Sequence, residues 1–225
     1  MLSIITRFEK AISRNWLLDR ACVCEASRAL CHPCNDVIPA RESVGLSRGL
    51  VPVMLEALKR SVMVRTTHLE ITSRQQWIRR AREAGDLEIR ECVVKQPRFN
   101  RFLYEYVGGD WRWVDRLVWP AQQWHDYATS DNLRTFVACR QGSLAGYYEL
   151  QRQEGGSVEI RIFGLTPEFV GQGHGGGLLD SAIENAFAWT ADRVWVHTCT
   201  HDHPNALNNY LKSGFKIFKI EEKST

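Results

Sequence analysis

The sequence lacks any apolar run long enough to cross a membrane, and its first residues, MLSIITRFEK, lack the apolar core of a secretion signal. It also lacks a block of lysines or arginines, and its formal net charge of only +3 gives no argument for nucleic acid as a partner. No internal repeat is present. We therefore expect a soluble, cytoplasmic, globular protein with no membrane or nucleic-acid partner.

Cysteine is present, but its seven copies are an odd number, which suits a reducing compartment better than a set of disulfides. The pairs Cys22-x-Cys24 and Cys31-His-Pro-Cys34 allow a zinc site, although the loop between them is short. Two other interpretations of this region stay open: a targeting segment, or a biological start at Met63. We favour the start at Met63.

The pattern of the chain changes after the first sixty residues or so. Residues 1–62 show no clear strand or turn pattern, and we expect them to be an N-terminal extension that is either disordered or not part of the biological chain. Residues 63–225 are expected to form one folded domain.

The folded region predicts an α/β fold with a mixed sheet, part antiparallel and part parallel. The strands and helices alternate in a definite order. The expected elements are a strand before a helix that starts at Thr72 or Ser73, a strand at 87–94, helices at 100–107 and 114–129, a hairpin at 135–140 and 143–152, a strand at 158–165, a helix from about Gly175 to Thr190, a strand at 193–198, a helix at 204–213 and a strand at 215–220.

A glycine-rich loop joins the strand at 158–165 to the helix after it, with the sequence Leu-Thr-Pro-Glu-Phe-Val-Gly-Gln-Gly-His-Gly-Gly-Gly-Leu-Leu over 165–179. Glycines let the backbone approach a bulky anion, and free N–H groups at a helix start attract it. The loop lacks GK[ST], which excludes a P-loop. Too little chain follows for a dinucleotide-binding domain. A coenzyme A pyrophosphate loop remains, with an unliganded turn as the alternative.

A second motif follows at 203–215, His-Pro-Asn-Ala-Leu-Asn-Asn-Tyr-Leu-Lys-Ser-Gly-Phe. The glycine loop resembles motif A of the GNAT family, R/Q-x-x-G-x-G/A, and the second segment resembles motif B, A-x-x-x-Y-x-x-x-G-F. The slots of motif A fall on Val170, Gly173 and Gly175, and those of motif B on Ala206, Tyr210, Gly214 and Phe215. The resemblance is strong over 158–220, holds in outline over 66–153, and does not reach residues 1–60.

The resemblance implies a GNAT-like acyl-CoA N-acyltransferase fold with a poorly structured N-terminal extension. It implies an N-acetyltransferase that moves an acetyl group from acetyl-CoA to a primary amine by direct transfer in a ternary complex. The acceptor would be a small molecule or a peptide, no metal is expected, and a homodimer is one option for the assembly. The alternative is a non-catalytic acyl-CoA-binding sensor or interaction module of the same fold.

The resemblance also implies which residues bind the cofactor. Val170 stands where the family has Arg or Gln, so the backbone amides from Gln172 to Gly177 are expected to carry most of the binding. The expected cofactor-binding residues are Phe163, Leu165, Val170, Gly171, Gln172, Gly173, His174, Gly175, Gly176, Gly177 and Asn205. In the family the strand before the loop bulges, and by position Phe163 or a neighbour would offer a free backbone N–H to the acetyl carbonyl.

Two catalytic roles follow from the same resemblance. Tyr210 would be the general acid that protonates the departing thiolate. Glu159 stands where histone-type members carry a general base, and Glu149 is the second candidate. Strand alternation places Glu159 and Arg161 away from the buried side, so a solvated strand residue is an equally good interpretation of Glu159.

Two further clusters carry weaker hypotheses. His197, Cys199, His201 and His203 alternate, as metal ligands on one side of an extended chain would, but a strand that runs into a helix explains the spacing as well. Tryptophans and tyrosines crowd residues 104–124, where packing is the plain interpretation and the wall of an acceptor pocket the sharper one. Asp110, Asp115 and Glu105 would then bind a cationic acceptor.

Overall fold

A computed structural model describes residues 63–80 and 86–224. Within them a single mixed sheet contains seven strands in the order β2-β3-β4-β5-β6-β1-β7. The strands are β1 (Met63–Ile71), β2 (Glu88–Glu91), β3 (Leu133–Arg140), β4 (Ser143–Arg152), β5 (Ser157–Leu165), β6 (Arg193–Cys199) and β7 (Lys216–Ser224). The expected N-terminal extension, the Cys22–Cys34 zinc hypothesis and the targeting hypothesis lie outside the described residues.

The described residues contain four α-helices: α1 (Pro97–Gly108), α2 (Ala121–Thr129), α3 (Gly175–Ala188) and α4 (Ala206–Lys212). Helix α3 is short of charge and buries one broad face, including Leu178, Leu179 and Ile183, in the main core with Tyr210 of α4. Helices α1 and α2 form a second core on the other side of the sheet, around Leu103 and Trp124. The predicted mixed α/β fold is therefore confirmed. No helix in the described residues is long and apolar enough to cross a membrane.

Strands β5 and β6 are the parallel pair, and they stay together only at their beginnings. Ser157, Val158 and Glu159 pair with Arg193, Val194 and Trp195, and beyond this point the two strands separate. The separation opens the sheet between the two cores. Backbone groups of β5 that point toward β6 lose their ladder partner there, which leaves them free for a ligand.

A β-bulge in β5 sits at the start of this opening. Glu149 of β4 pairs with Ile162 and Leu150 pairs with Ile160, so Arg161 is the extra residue. A bulge shifts the inside–outside alternation by one residue. Ile162 consequently packs in the second core, while Ile160 and Phe163 both pack in the main core. Period-two reasoning along β5 fails after Ile160 for this reason.

Strand β1 lies between β6 and β7 and is antiparallel to both. Its alternating residues explain the position, because Leu69 and Ile71 are fully buried in the main core. The first described strand thus pairs with the last one, β7.

Two helix predictions were wrong in extent. After β1 the chain forms only a short 3-10 turn, Arg74–Gln76, because the Gln76 amide donates hydrogen bonds to the carbonyls of Glu70 and Gly214 and ties the segment to the sheet. The helix expected over 114–129 begins only at Ala121. Pro120 precedes it, and a residue before proline avoids the helical region.

Candidate active site

The opening between β5 and β6 is a cavity of about 680 Å³. On the main-core side its wall is the glycine loop and α4. On the other side the wall is the segment between α1 and α2, with Trp111, Arg112 and Arg116. Trp111 meets His203, which precedes α4, with ring centroids 5.1 Å apart, so the two walls touch across the opening. The cavity is therefore lined by residues from both sides of the sheet.

The glycine loop adopts the backbone that its sequence requires. Gly171 and Gly173 have φ angles of 82° and 88°, a region that favours glycine. Helix α3 then begins at Gly175, without a side-chain cap, so its first N–H groups are free within the described structure. The helix dipole adds positive potential at this end. Loop and helix start together present free N–H groups and positive potential at the cavity wall.

The structure brings most of the expected cofactor-binding residues to the cavity. Those in its wall are Phe163, Leu165, Val170, Gly171, Gly173, Gly175, Gly176 and Asn205. The other three expected residues, Gln172, His174 and Gly177, do not line the cavity. The Gln172 amide donates to the Glu168 carbonyl at 2.5 Å, the His174 ring packs beside Phe169, and Gly177 is buried within α3. For these three residues the backbone amide is the group expected to bind the cofactor.

Sequence reasoning missed a cationic side chain, Arg80, that lies beside the glycine loop. Arg80 lies in the cavity wall, and its Nη2 donates to the Asn209 carbonyl at 2.7 Å. A Cβ on Gly176 would come within 2.8 Å of Arg80 Cδ, so glycine is needed for this approach. Asp180 holds the segment by accepting the Arg80 backbone N–H at 3.0 Å. No local pattern could have revealed Arg80, because it is far from the loop in sequence.

Tyr210 reaches the cavity from α4. Its ring is buried against Phe163 and Phe215, with centroids 6.1 and 5.9 Å away. The residue lines the cavity, and its hydroxyl makes no hydrogen bond within the described part of the chain. Burial, with the Asp202 carboxylate adding to it, raises the pKa of Tyr210 well above its usual value. The hydroxyl therefore keeps its proton at neutral pH.

Glu159 is not the solvated residue that one interpretation predicted. It does face away from the main core, yet it is fully buried on the other side. Gln153 Nε2 donates to it at 2.8 Å, Arg161 Nη1 lies 3.1 Å away and His197 Nδ1 3.3 Å. Burial raises the pKa of Glu159, but the His197 hydrogen bond and the Arg161 charge outweigh it, so the pKa lies below its ordinary value. The carboxylate stays ionised.

His197 connects Glu159 to the cavity. The imidazole is 38% exposed and lines the wall, whereas Glu159 does not. Nδ1 lies 3.3 Å from the carboxylate, and the tautomer with its proton on Nδ1 leaves the Nε2 lone pair available. Sequence reasoning placed His197 only in a row of possible metal ligands. Within residues 63–80 and 86–224, no three such side chains form a metal-binding group.

Glu149, the second candidate base, is also buried and does not line the cavity. Asn100 donates to it at 2.8 Å, Tyr127 donates to its other oxygen, and Arg116 Nη1 lies 3.6 Å away. Arg116 extends from this pair into the cavity wall. Glu149 thus holds an arginine in place, and this network fixes the segment before α2 to β4.

The acidic residues expected around an acceptor are mostly elsewhere. Asp115 lines the cavity and accepts a hydrogen bond from Tyr104. Glu105 pairs with Arg101 at 2.7 Å on the exposed side of α1, and Asp110 is exposed outside the cavity wall. Trp111 and Trp113 line the cavity, whereas Trp119 and Trp124 pack in the second core. The acceptor wall is therefore aromatic and rich in arginine.

Comparison with known proteins agrees with this geometry. Residues 100–215 match the model of the acetyltransferase (GNAT) family, which is more than half of the chain. No curated protein gives a significant match.

Two solved structures share the fold. A GCN5-related N-acetyltransferase from Sphaerobacter thermophilus is 16% identical with a TM-score of 0.52, and the match covers 78% of this chain and 56% of that one. A GCN5-related N-acetyltransferase from Kribbella flavida is 14% identical with a TM-score of 0.50, and the match covers 76% and 60%. The chain thus spans little more than half the length of either structure. On the family match, this chain belongs to the GNAT family of acetyltransferases.

Proposed function

We propose that the chain transfers an acetyl group from acetyl-CoA to a primary amine, directly and within a ternary complex. The observation that carries the proposal is the opening between β5 and β6, with an anion-binding glycine loop on one side and a second, separately lined wall on the other. Two substrates can bind in such a cavity together, each against its own wall.

The glycine loop and the start of α3 suit a pyrophosphate. Their N–H groups and helix dipole favour an anion, and Arg80 supplies a full positive charge close by. This arrangement compensates for Val170, which has no polar side chain. The free backbone groups of β5 from Ile160 onward, with Phe163 the expected donor, would stabilise the negative charge that develops on the acetyl oxygen.

The alternative to direct transfer is a covalent intermediate on a cysteine of the cavity wall. Cys199 lines the cavity, but burial raises the pKa of its thiol, and Asp202 adds to the effect. A thiol that stays protonated is a poor nucleophile. Transfer through a cysteine intermediate is therefore disfavoured.

Tyr210 and His197 supply the acid and the base. The Tyr210 hydroxyl is protonated and has no hydrogen-bond partner among the described residues, so it is free to donate to the leaving thiolate. His197 Nε2 would accept the proton of the attacking amine. Glu159, with its lowered pKa, acts through His197 by fixing its tautomer rather than by taking the proton itself.

Two measurements test the proposal: calorimetric binding of CoA, and release of free thiol from acetyl-CoA with a panel of amines. We expect both. CoA binding without thiol release for any amine would favour the alternative, a non-catalytic acyl-CoA-binding module. Absence of CoA binding would overturn both functions.

His197→Gln tests the base. We expect kcat/KM to fall on the order of 100- to 10,000-fold, because general-base catalysis contributes about this much, with the CoA affinity unchanged. His125→Gln is the matched control, since His125 is exposed on α2 and outside the cavity. Full activity of His197→Gln would remove the imidazole from the mechanism.

A further inference from the structure

The acceptor side of the cavity carries more positive than negative side chains at its surface. Arg112, Arg116 and Arg161 line it, with Asp115 as the acidic residue beside them. The balancing carboxylates, Glu149 and Glu159, are 1% and 0% exposed and lie behind Arg116 and Arg161. A molecule on this side of the cavity therefore meets three guanidinium groups and the Asp115 carboxylate, while Glu149 and Glu159 do not line the cavity.

Arg116 is held in place with a donor still unused. Its side chain is 4% exposed and sits against the rings of Tyr104, Trp119 and Tyr127, with its Cζ atom 4.6 to 5.4 Å from their centroids. Nη1 lies 3.6 Å from Glu149 Oε2, too far for a hydrogen bond, and is buried without a hydrogen-bond partner in the described residues. A buried guanidinium N–H without an acceptor is costly, and arginine has only donors to offer.

Arg161, on β5, also has a buried nitrogen that makes no hydrogen bond. Its Nε is buried and has no partner in the described chain, although Nη1 bonds to Glu159. Glu149, which contacts Arg116, is the cross-strand partner of Ile162, the residue next to Arg161. Each of the two buried carboxylates therefore contacts an arginine that keeps one nitrogen without a hydrogen-bond partner among the described residues.

Arg112 completes the set at the mouth of the cavity. It is exposed, has no ion pair with any described residue, and its backbone is left-handed with φ 55°. Trp113, the next residue, packs directly on Gly108, which fixes this turn. Guanidinium groups bind carboxylates through paired N–H donors, and this geometry is their preferred one.

We propose that the acceptor is a small amine that also carries an anionic group, with an α-amino acid as the best-fitting class. The inference rests on the proposed function and names the substrate of the same site. The arginines would bind the carboxylate and so orient the amine toward His197. A polycationic amine would meet Arg112, Arg116 and Arg161 with like charge.

The test is thiol release from acetyl-CoA with the twenty common α-amino acids, their α-amides, the corresponding decarboxylated amines, an aminoglycoside and two aminophosphonates. We expect kcat/KM for the best amino acid to exceed that of its amide at least ten-fold, because a site built to bind a charged group rejects analogues that lack it. The aminophosphonates show whether the anion site also accepts a phosphonate.

Arg112→Gln separates recognition from structure, and its exposed position should leave folding intact. We expect kcat/KM for the acid to fall ten-fold or more and that for the amide less than two-fold. A merely structural role would lower both equally. Arg101→Gln, on the exposed side of α1, is the control and should change neither.

Three outcomes would overturn the inference. They are equal or better turnover of amides, decarboxylated amines or the aminoglycoside; an unchanged acid-to-amide ratio in Arg112→Gln; and silence of every acid while CoA still binds. If CoA itself does not bind, the proposed function fails, which calorimetry shows independently of the acceptor panel.

Discussion

At the scale of single residues, the raised pKa of Tyr210 has two opposite effects on its use as an acid. Burial keeps the phenol protonated, which an acid needs, but the raised pKa also makes it a reluctant donor. A thiolate, with a thiol pKa of roughly 8.5, would accept the proton only as it leaves. Tyr210 is therefore suited to hydrogen-bond the leaving sulfur through the transition state.

Tyr210→Phe should lower kcat on the order of 10- to 1,000-fold, because water replaces the phenol only in part. The ring that packs on Phe163 and Phe215 remains, so the affinity for CoA should not change. Steady-state kinetics and calorimetry check the two expectations. Full activity would place the acid elsewhere, and an unfolded variant would show that packing is the main role of the residue.

Glu159 makes stability depend on pH in a definite direction. Its pKa is lower in the folded chain than the ordinary 4.5, so the folded state favours the ionised form. The stabilisation is present above pH 4.5 and is lost as the pH falls below it, through the lowered pKa.

Glu159→Gln should lower the free energy of unfolding by about 2 kcal/mol at pH 7, less than for a fully buried pair because the partner arginine is partly exposed. The difference from the natural chain should shrink as the pH is lowered from 5 to 3. Denaturant unfolding at each pH measures it. Glu154→Gln, at an exposed position, is the control, and a difference that grows on acidification would contradict the assignment.

At the scale of elements, the glycine loop is a backbone feature that a single methyl group can probe. Gly173→Ala places a side chain at φ 88°, and Gly142→Ala does the same at φ 82° in the β3–β4 turn, where the space is open. Both changes should cost about 1 kcal/mol of stability, because the left-handed backbone penalises a Cβ.

Only Gly173→Ala should also weaken CoA binding, by about ten-fold or more, since the loop amides must keep their geometry to hold a pyrophosphate. Thermal unfolding and calorimetry on the two variants separate strain from binding. Equal CoA affinity for both would remove the loop from the binding site.

The elements differ in how far the sequence predicts them. The loop, α3 and α4 were predictable because glycine, proline and the apolar period act locally. The bulge at Arg161 is absent from any pattern along β5 alone, because it arises from the pairing of β5 with β4, and only the family resemblance implied a bulge in this strand. Burial of Glu159 and the role of His197 depend on that pairing and on β6. Arg80 reaches the loop only through the folded chain.

At the scale of the whole molecule, we predict that the domain folds without the residues before Met63. A chain that begins at Met63 should fold and bind CoA like the full chain, because it keeps all seven described strands. A chain that begins at Thr72 should not fold, since it loses Leu69 and Ile71 from the core and the strand between β6 and β7. Circular dichroism and calorimetry compare the three. Failure of the Met63 chain would place the domain boundary earlier.

The position of β1 also has a consequence for how the molecule is made. Arg65 and Glu222 pair across 157 residues of sequence, and neither β6 nor β7 exists when the ribosome has just produced β1. The strand, with its two core residues Leu69 and Ile71, must then remain unpaired until β6 has been made. Contacts so distant in sequence slow folding, and exposed strand edges promote aggregation. We therefore expect the yield of folded protein to rise when chaperones that shield nascent chains are supplied in excess.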